Sequence, residues 1–486
     1  MAANKKLGMG SVVATGVGLI VATSCLLSLG QGSSAIGTTF IISMVIACAI
    51  NILFALSVSE LNSLMPNITG GLPQYTLASM GPFVTIVIMV GGYLACNTMV
   101  SSAECAMFGN TIQSVFPQAG IPASVYCVIL VAILILINLN GVDIFAKVQD
   151  FVAYALIVSL LILGVLGTIK VGTGTPITQP AVLSSKFSDI TGLCGLAFFL
   201  FIGCEYVIPI GDKIDNPRRK IPAGMVISLL LVLTFQIFMC IGFSHYTPWA
   251  QLGKSTTPHV LYGTLLLGPV GTYWMAIVSV LAVVSSVNTV ISSLAYIAAG
   301  MAKIGLLPEI FNKTNKKGAP VAGILLFGGI ILVINAVGLS TSSSLSFLIL
   351  CGCAFWMLSY IVTHINVLIF RKRLPNAPRK FKVPGGPIIP VLGAIGMGWM
   401  FWNISSDPAE RTLIYIVCLI MVAVLSVYAV LWIKKVMHRP LFKPFPMEEV
   451  MAMDNDLYSV YHDPKTGRLR ANIARGGVTP LGESES

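Results

Sequence analysis

Phe198-Phe199-Leu200-Phe201-Ile202-Gly203-Cys204-Glu205 is an apolar stretch that carries a glycine and then a carboxylate, and it soon runs into Asp215-Asn216-Pro217-Arg218-Arg219-Lys220-Ile221-Pro222. Read as a membrane helix, it puts Glu205 at hydrocarbon depth, where a carboxylate costs several kcal/mol unless it faces a cavity, a partner or a proton. The stretch therefore reads as part of a transport site.

The rest of the chain supplies the membrane setting. Of its 486 residues 56% are hydrophobic and 10% charged, more apolar sequence than a soluble core buries, and it falls into long runs. About twelve of them approach the roughly 20 residues that span hydrocarbon: near residues 11 to 37, 38 to 64, 83 to 109, 122 to 140, 151 to 169, 190 to 210, 222 to 244, 269 to 299, 319 to 339, 345 to 370, 386 to 404 and 412 to 433. Backbone in lipid must satisfy its own hydrogen bonds, and strands would be shorter and alternating, so the runs are expected to be helices. The fold class is all-α integral membrane.

Basic residues in short loops set orientation. With the N-terminus in the cytoplasm, that side collects Arg218, Arg219, Lys220, Lys316, Lys317, Arg371, Lys372, Arg373, Lys434 and Lys435 among others, and the opposite side holds only Lys170, Lys186, Lys254 and Arg411. Both termini are thus expected to be cytoplasmic in a multi-pass protein of the cell membrane. Topology accounts for the net charge of +11 without a nucleic-acid partner. The first run is too long for a signal-peptide core and lacks a small-residue cleavage pattern, so it reads as a retained helix.

Residues 1–437 read as one transmembrane domain. Residues 438–486 read as a cytoplasmic tail, beginning with Pro440, Pro444 and Pro446 and containing Asp454, Asp456, Asp463 and Lys465. The eleven cysteines, from Cys25 to Cys418, lie inside apolar runs, and the close pair Cys351-Gly352-Cys353 has no histidine at ligand spacing. They read as small buried hydrophobes; no metal or cofactor is expected.

Two runs look interrupted. The first reads Gly16-Val17-Gly18-Leu19-Ile20-Val21-Ala22-Thr23-Ser24 and the sixth contains Gly203, corresponding places in two halves of five helices each. Paired interruptions mark transporter sites in which freed N–H groups meet anions and freed carbonyls meet cations; glycines that merely let helices pack closely give the same pattern.

Five further motifs carry a resemblance. Ala55-Leu56-Ser57-Val58-Ser59-Glu60-Leu61 with Pro66, Gly70-Gly71, Tyr75 and Gly81-Pro82 resembles the second-helix signature of the amino acid-polyamine-organocation transporter family. Asn138-Leu139-Asn140-Gly141-Val142 with Gln149, the Gly203 to Pro222 segment, Met301-Ala302-Lys303-Ile304-Gly305-Leu306-Leu307-Pro308, and Arg379-Lys380-Phe381-Lys382-Val383-Pro384-Gly385-Gly386-Pro387 resemble its fourth-, sixth-, eighth- and tenth-helix signatures. The resemblance implies an inverted five-plus-five helix repeat with two additional C-terminal helices, and a midplane site between helices 1, 3, 6, 8 and 10. It implies a permease for an amino acid or small organic amine that works by alternating access, as a proton symporter or an exchanger. By position, Ala22, Thr23 and Ser24 fall where the substrate carboxylate is received and Phe199 on an aromatic gate, with Phe201 near it. Gly203 falls on the helix-6 break, Glu205 on its acidic residue, and Val100 and Ala103 on substrate-facing positions. The chain departs from the family in having Ala22 and Ser24 where glycines are usual, although the Thr23 and Ser24 hydroxyls could donate to a carboxylate instead. It also has Leu156 where some members carry a proton-coupling lysine.

Three more features are weighed from the residues. Glu104, beside Val100 and Ala103, could hold a cationic amine or take a proton, or it could sit near the outer surface as a cap. Glu60, close to the inner exit, reads as the partner of a basic loop residue at an inner gate. Ser285 and Ser286 could help ligate sodium, or bond back to their own helix. Beyond proton-coupled transport, the chain is compatible with an ion-independent exchanger or a transporter-like nutrient sensor. No nucleophile–base pair suggests an enzyme.

Overall fold

The computed structural model describes residues 8–65, 71–140, 146–205, 207 and 208, 214, 216–338, 342–377 and 379–452. Pro66, Gly70, Gly141, Val142, Lys213, Asp215 and tail residues 453–486 lie outside the described residues.

Helix occupies each of the twelve apolar runs, and no strand occurs among the described residues. The first run is split into α1 (Met9–Ile20) and α2 (Thr23–Ile36), and is followed by α3 (Phe40–Leu64) and a short α4 (Leu72–Ser79). The third run is continuous from α5 (Pro82–Val84) through a π-helical segment, Thr85–Gly91, into α6 (Gly92–Val115). Then come α7 (Ala123–Leu139), α8 (Ala146–Thr168), and the split sixth run with α9 (Phe187–Gly192) and α10 (Cys194–Phe199). The second half continues with α11 (Pro217–Tyr246), two short connecting helices α12 (Trp249–Lys254) and α13 (Pro258–Leu267), and α14 (Pro269–Lys303). It ends with α15 (Val321–Ala336), α16 (Ser342–Arg373), α17 (Ile388–Trp402), α18 (Pro408–Trp432) and a short α19 (Met447–Ala452).

Six of these segments are long and apolar enough to cross a membrane: Phe40–Leu64, Pro82–Val115, Arg219–Tyr246, Pro269–Lys303, Ser343–Arg373 and Pro408–Met437. Others are shorter; the 17 residues of α7 reach about 25 Å at 1.5 Å per residue. The core sits where α6 packs on both α14 and α16, and where α11 lies against α1 and α3 and α3 against α10. Burial follows this plan. In the most apolar window of α16 78% of residues are buried, against 17% for the last long helix, which presents Leu413, Leu419, Val424 and Val427 outward. A helix apolar all round and exposed on most sides suits a lipid-facing position.

At the C-terminal end of α3, Glu60 accepts from Arg371 Nε at 2.8 Å and Nη2 at 2.5 Å and from the Val383 amide at 2.8 Å, with Arg379 Nε 3.5 Å away. The chain after α18 turns back under α4: the Phe445 amide donates to the Leu77 carbonyl at 3.1 Å, and Arg439 pairs with Glu449 at 2.9 Å.

Candidate functional site

At the first break, Val21 and Ala22 are extended, with φ −90° and −111°. A helix that starts afresh leaves its first N–H groups without partners. Here a carboxylate 80 positions along the chain fills them. Glu104 Oε1 accepts from the Thr23 amide at 3.0 Å and from the Thr23 hydroxyl, and Oε2 accepts from the Ser24 amide at 2.7 Å. The Ser286 hydroxyl approaches Oε1 at 3.4 Å. Glu104 is 3% exposed, so it is neither near the solvent nor a cap on its own helix; it caps α2 from α6. Among the described residues its hydrogen-bond partners are all donors.

The second break follows α10. Leu200 to Ile202 form a turn, Gly203 takes φ +112°, and Cys204 and Glu205 begin a tighter helical turn. That φ is open to glycine and strained for other residues. Glu205 is buried and accepts from the Tyr360 hydroxyl at 2.8 Å through Oε1, and its Oε2 has no hydrogen-bond partner among the described residues. Tyr360 is held by Phe54, stacked at 3.5 Å, and by an edge contact with Phe198. Cys25 ties the two breaks together, its thiol lying 3.5 Å from the Ile20 carbonyl and 3.8 Å from that of Phe199.

Between the breaks lies a cavity of about 190 Å³, walled by the first, third, sixth, eighth and tenth apolar runs. It is smaller than the roughly 300–1,000 Å³ of pockets for drug-sized ligands and suits a small metabolite. Of the positions singled out above, Ala22, Ser24, Val100, Glu104, Phe199 and Ser286 line it. Thr23 is fully buried and reaches the cavity through its bonds to Glu104. Ala103, Phe201, Gly203, Glu205, Glu60 and Ser285 are not in its wall. Helical period explains Ala103: α6 turns Tyr93, Asn97, Val100, Ser101 and Glu104 to the cavity, and Ala103 faces the packed side. The same period separates the two serines. Ser286 faces the cavity and donates to the Val283 carbonyl at 3.1 Å, whereas Ser285 is buried elsewhere with its hydroxyl unbonded among the described residues. Glu60 sits in its arginine cluster at the C-terminal end of α3.

Sequence reasoning missed Trp356 on α16, and Asn97, Thr289 and Ser293, all in the cavity wall. A signal was available for the polar ones. Asn97, Ser101 and Glu104 on α6, and Ser286, Thr289 and Ser293 on α14, form polar stripes at three- and four-residue spacing in otherwise apolar helices. Trp356 gave none, since a tryptophan in an apolar run reads as core.

Two interrupted helices enclosing a cavity in an apolar bundle define a membrane transporter. A model of the amino acid permease family matches residues 7–425; the chain belongs to that family, and it is a transporter rather than an enzyme. It is 23% identical to the branched-chain amino acid permease BcaP of Bacillus subtilis over 438 residues, 85% of this chain and 90% of that protein. It is also 23% identical to the methylthioribose transporter of Bacillus subtilis over 435 residues, 85% of this chain and 88% of that one. To a D-serine/D-alanine/glycine transporter of Escherichia coli it is 23% identical over 318 residues, 61% and 66% of the two chains. Among solved structures, a manganese transporter of Eremococcus coleocola shares the fold with a TM-score of 0.56 at 14% identity, covering 88% of this chain and 94% of that one.

Proposed function

We propose that this protein is a secondary transporter that carries an amino acid or a small organic amine across the cell membrane by alternating access around the cavity between its two broken helices, with both termini in the cytoplasm. The observation that carries the reading is the cavity itself, enclosed at both breaks and bearing a single carboxylate, Glu104, among the described residues of its wall. The relatives' names span branched-chain amino acids, small D-amino acids with glycine, and a thiosugar, so membership leaves the solute open within small polar metabolites.

Protons are the proposed coupling ion. Glu205 is buried with one carboxylate oxygen unbonded among the described residues, so it can take up a proton without breaking its bond to Tyr360. Sodium is a poorer fit, because of the two serines considered as ligands only Ser286 faces the cavity, and Ser285 lies outside it. Ion-independent exchange is the second reading, favoured by fully buried Leu156 at the place where some family members use a lysine.

Uptake of radiolabelled amino acids and amines into proteoliposomes tests both. Accumulation driven by an imposed proton gradient in empty vesicles is expected for symport; uptake that requires preloaded solute is expected for exchange. No uptake of any amine-bearing solute under either condition overturns the proposal.

A further inference from the structure

A helix N-terminus at a cavity favours an anionic group such as the carboxylate of an amino acid, and at α2 that place is taken. Both opening amides of α2 and the Thr23 hydroxyl are engaged by Glu104. An α-amino acid arriving there would find no free amide and would bring its negative charge against another in a site of low dielectric, where like charges repel strongly. Among the described residues the cavity wall contains no Lys, Arg or His to receive a carboxylate elsewhere.

What the wall does offer is a different set of partners. Among the described residues Glu104 Oε2 accepts one hydrogen bond, from the Ser24 amide, and a carboxylate oxygen has room for a second. Glu104 lines the cavity, so an ammonium can reach it. Two further polar groups in the wall are buried and have no hydrogen-bond partner among the described residues: the Ser24 hydroxyl and the Trp356 indole N–H. Ser24 is 0% exposed and Trp356 4%. The indole can only donate, so it calls for a neutral acceptor on the ligand, such as a hydroxyl or amide oxygen. Buried polar groups are costly unless paired, so these two atoms describe what the ligand brings.

Resting on the transporter function proposed above, we infer that the solute is a small cationic amine without a carboxylate, carrying a neutral oxygen: an amino alcohol or an amino acid amide. Glu104 acts as a built-in carboxylate that both caps α2 and receives the ligand's ammonium. Ser24 and Trp356 receive its neutral oxygen.

The test uses purified full-length protein and two matched sets: leucine, leucinol and leucinamide, and alanine, alaninol and alaninamide, titrated at neutral pH by calorimetry and then tried as substrates in proteoliposomes. At least one alcohol or amide is expected to bind tenfold or more tighter than its parent amino acid. Glu104→Gln, which keeps an acceptor for α2 but removes the charge, is expected to erase most of that preference, and Trp356→Phe to weaken the alcohol and amide about tenfold while leaving the parent amino acid nearly unchanged. If a parent amino acid binds as tightly as its alcohol and amide, or tighter, in the unaltered protein, this inference fails and the transporter proposal stands. If none of the six binds or is transported, this inference fails; the transporter proposal falls with it only if the wider uptake screen of amine-bearing solutes is also blank. The comparison within unaltered protein holds even where a variant does not fold.

Discussion

The two broken helices leave their exposed groups in opposite states. At the first break both opening amides of α2 are bonded to Glu104, a side chain contributed by a different helix. At the second, Glu205 holds one bond to Tyr360 and leaves an oxygen unbonded among the described residues. One carboxylate is bonded to a helix end through both oxygens; the other is bonded through one oxygen, and its second has no partner among the described residues. A carboxylate in the membrane is therefore not assigned a role by its depth alone; the donors around it decide whether it holds structure or is free to exchange a proton. Glu60 is a third case, surrounded by two guanidinium groups and away from the cavity.

The sharpest break of this comparison removes the structural extreme. Glu60→Ala strands Arg371, Arg379 and the Val383 amide, and breaking a buried pair this way costs roughly 3–5 kcal/mol. Unfolding of the variant in detergent should show that loss; a midpoint equal to the unaltered protein's would mean that the arginine cluster is solvated and does not hold the fold. Glu104→Ala should follow, at about 1–3 kcal/mol for stranding buried donors, with Glu104→Gln losing less because the amide oxygen still accepts. Equal losses for Ala and Gln would show that the cap on α2 is made by something other than Glu104.

Gly203→Ala probes the second break through its backbone. At φ +112° an added Cβ is strained, and the expected cost is about 1–3 kcal/mol, read by the same unfolding assay together with uptake. Stability unchanged by alanine would mean that the turn relaxes and that its conformation is not what positions Glu205. The smallest effect on stability is expected at Glu205 and its partner. Tyr360→Phe removes one hydrogen bond, about 0.5–1.5 kcal/mol, and Glu205→Gln keeps the acceptor for Tyr360 and should unfold like the unaltered protein. Its effect belongs in transport: concentrative uptake under a proton gradient is expected to be lost while binding remains. Wild-type accumulation with wild-type pH dependence in Glu205→Gln would leave Glu205 without a part in coupling.

Much of this organisation was legible in the chain before any coordinates. The twelve helical runs are written as apolar length, since hydrocarbon allows few alternatives for a backbone. The breaks were flagged by the stretch Gly16 to Ser24 and by Gly203; the first falls at Val21-Ala22, past glycines that stay within α1, and the second at Gly203, whose φ favours glycine. The connecting helices α12 and α13 were not legible, being too short and too mixed to form a periodic signal. Nor was the meaning of Thr23 and Ser24. Their hydroxyls and amides read as open donors for a ligand, yet the structure spends the Thr23 hydroxyl and both amides on Glu104 and leaves only the Ser24 hydroxyl unbonded among the described residues.

By itself, then, the sequence determined an all-helical membrane protein with two interrupted helices and a small set of intramembrane acids. These follow from composition and local pattern, because the bilayer tests each segment on its own. Which acid serves which purpose was decided only by the tertiary structure. Glu104 and Thr23 are 81 positions apart, Glu205 and Tyr360 155, and Glu60 and Arg371 311. A hydrogen bond is a matter of about 3 Å, and no pattern along the chain states which side chains helix packing will bring within that distance.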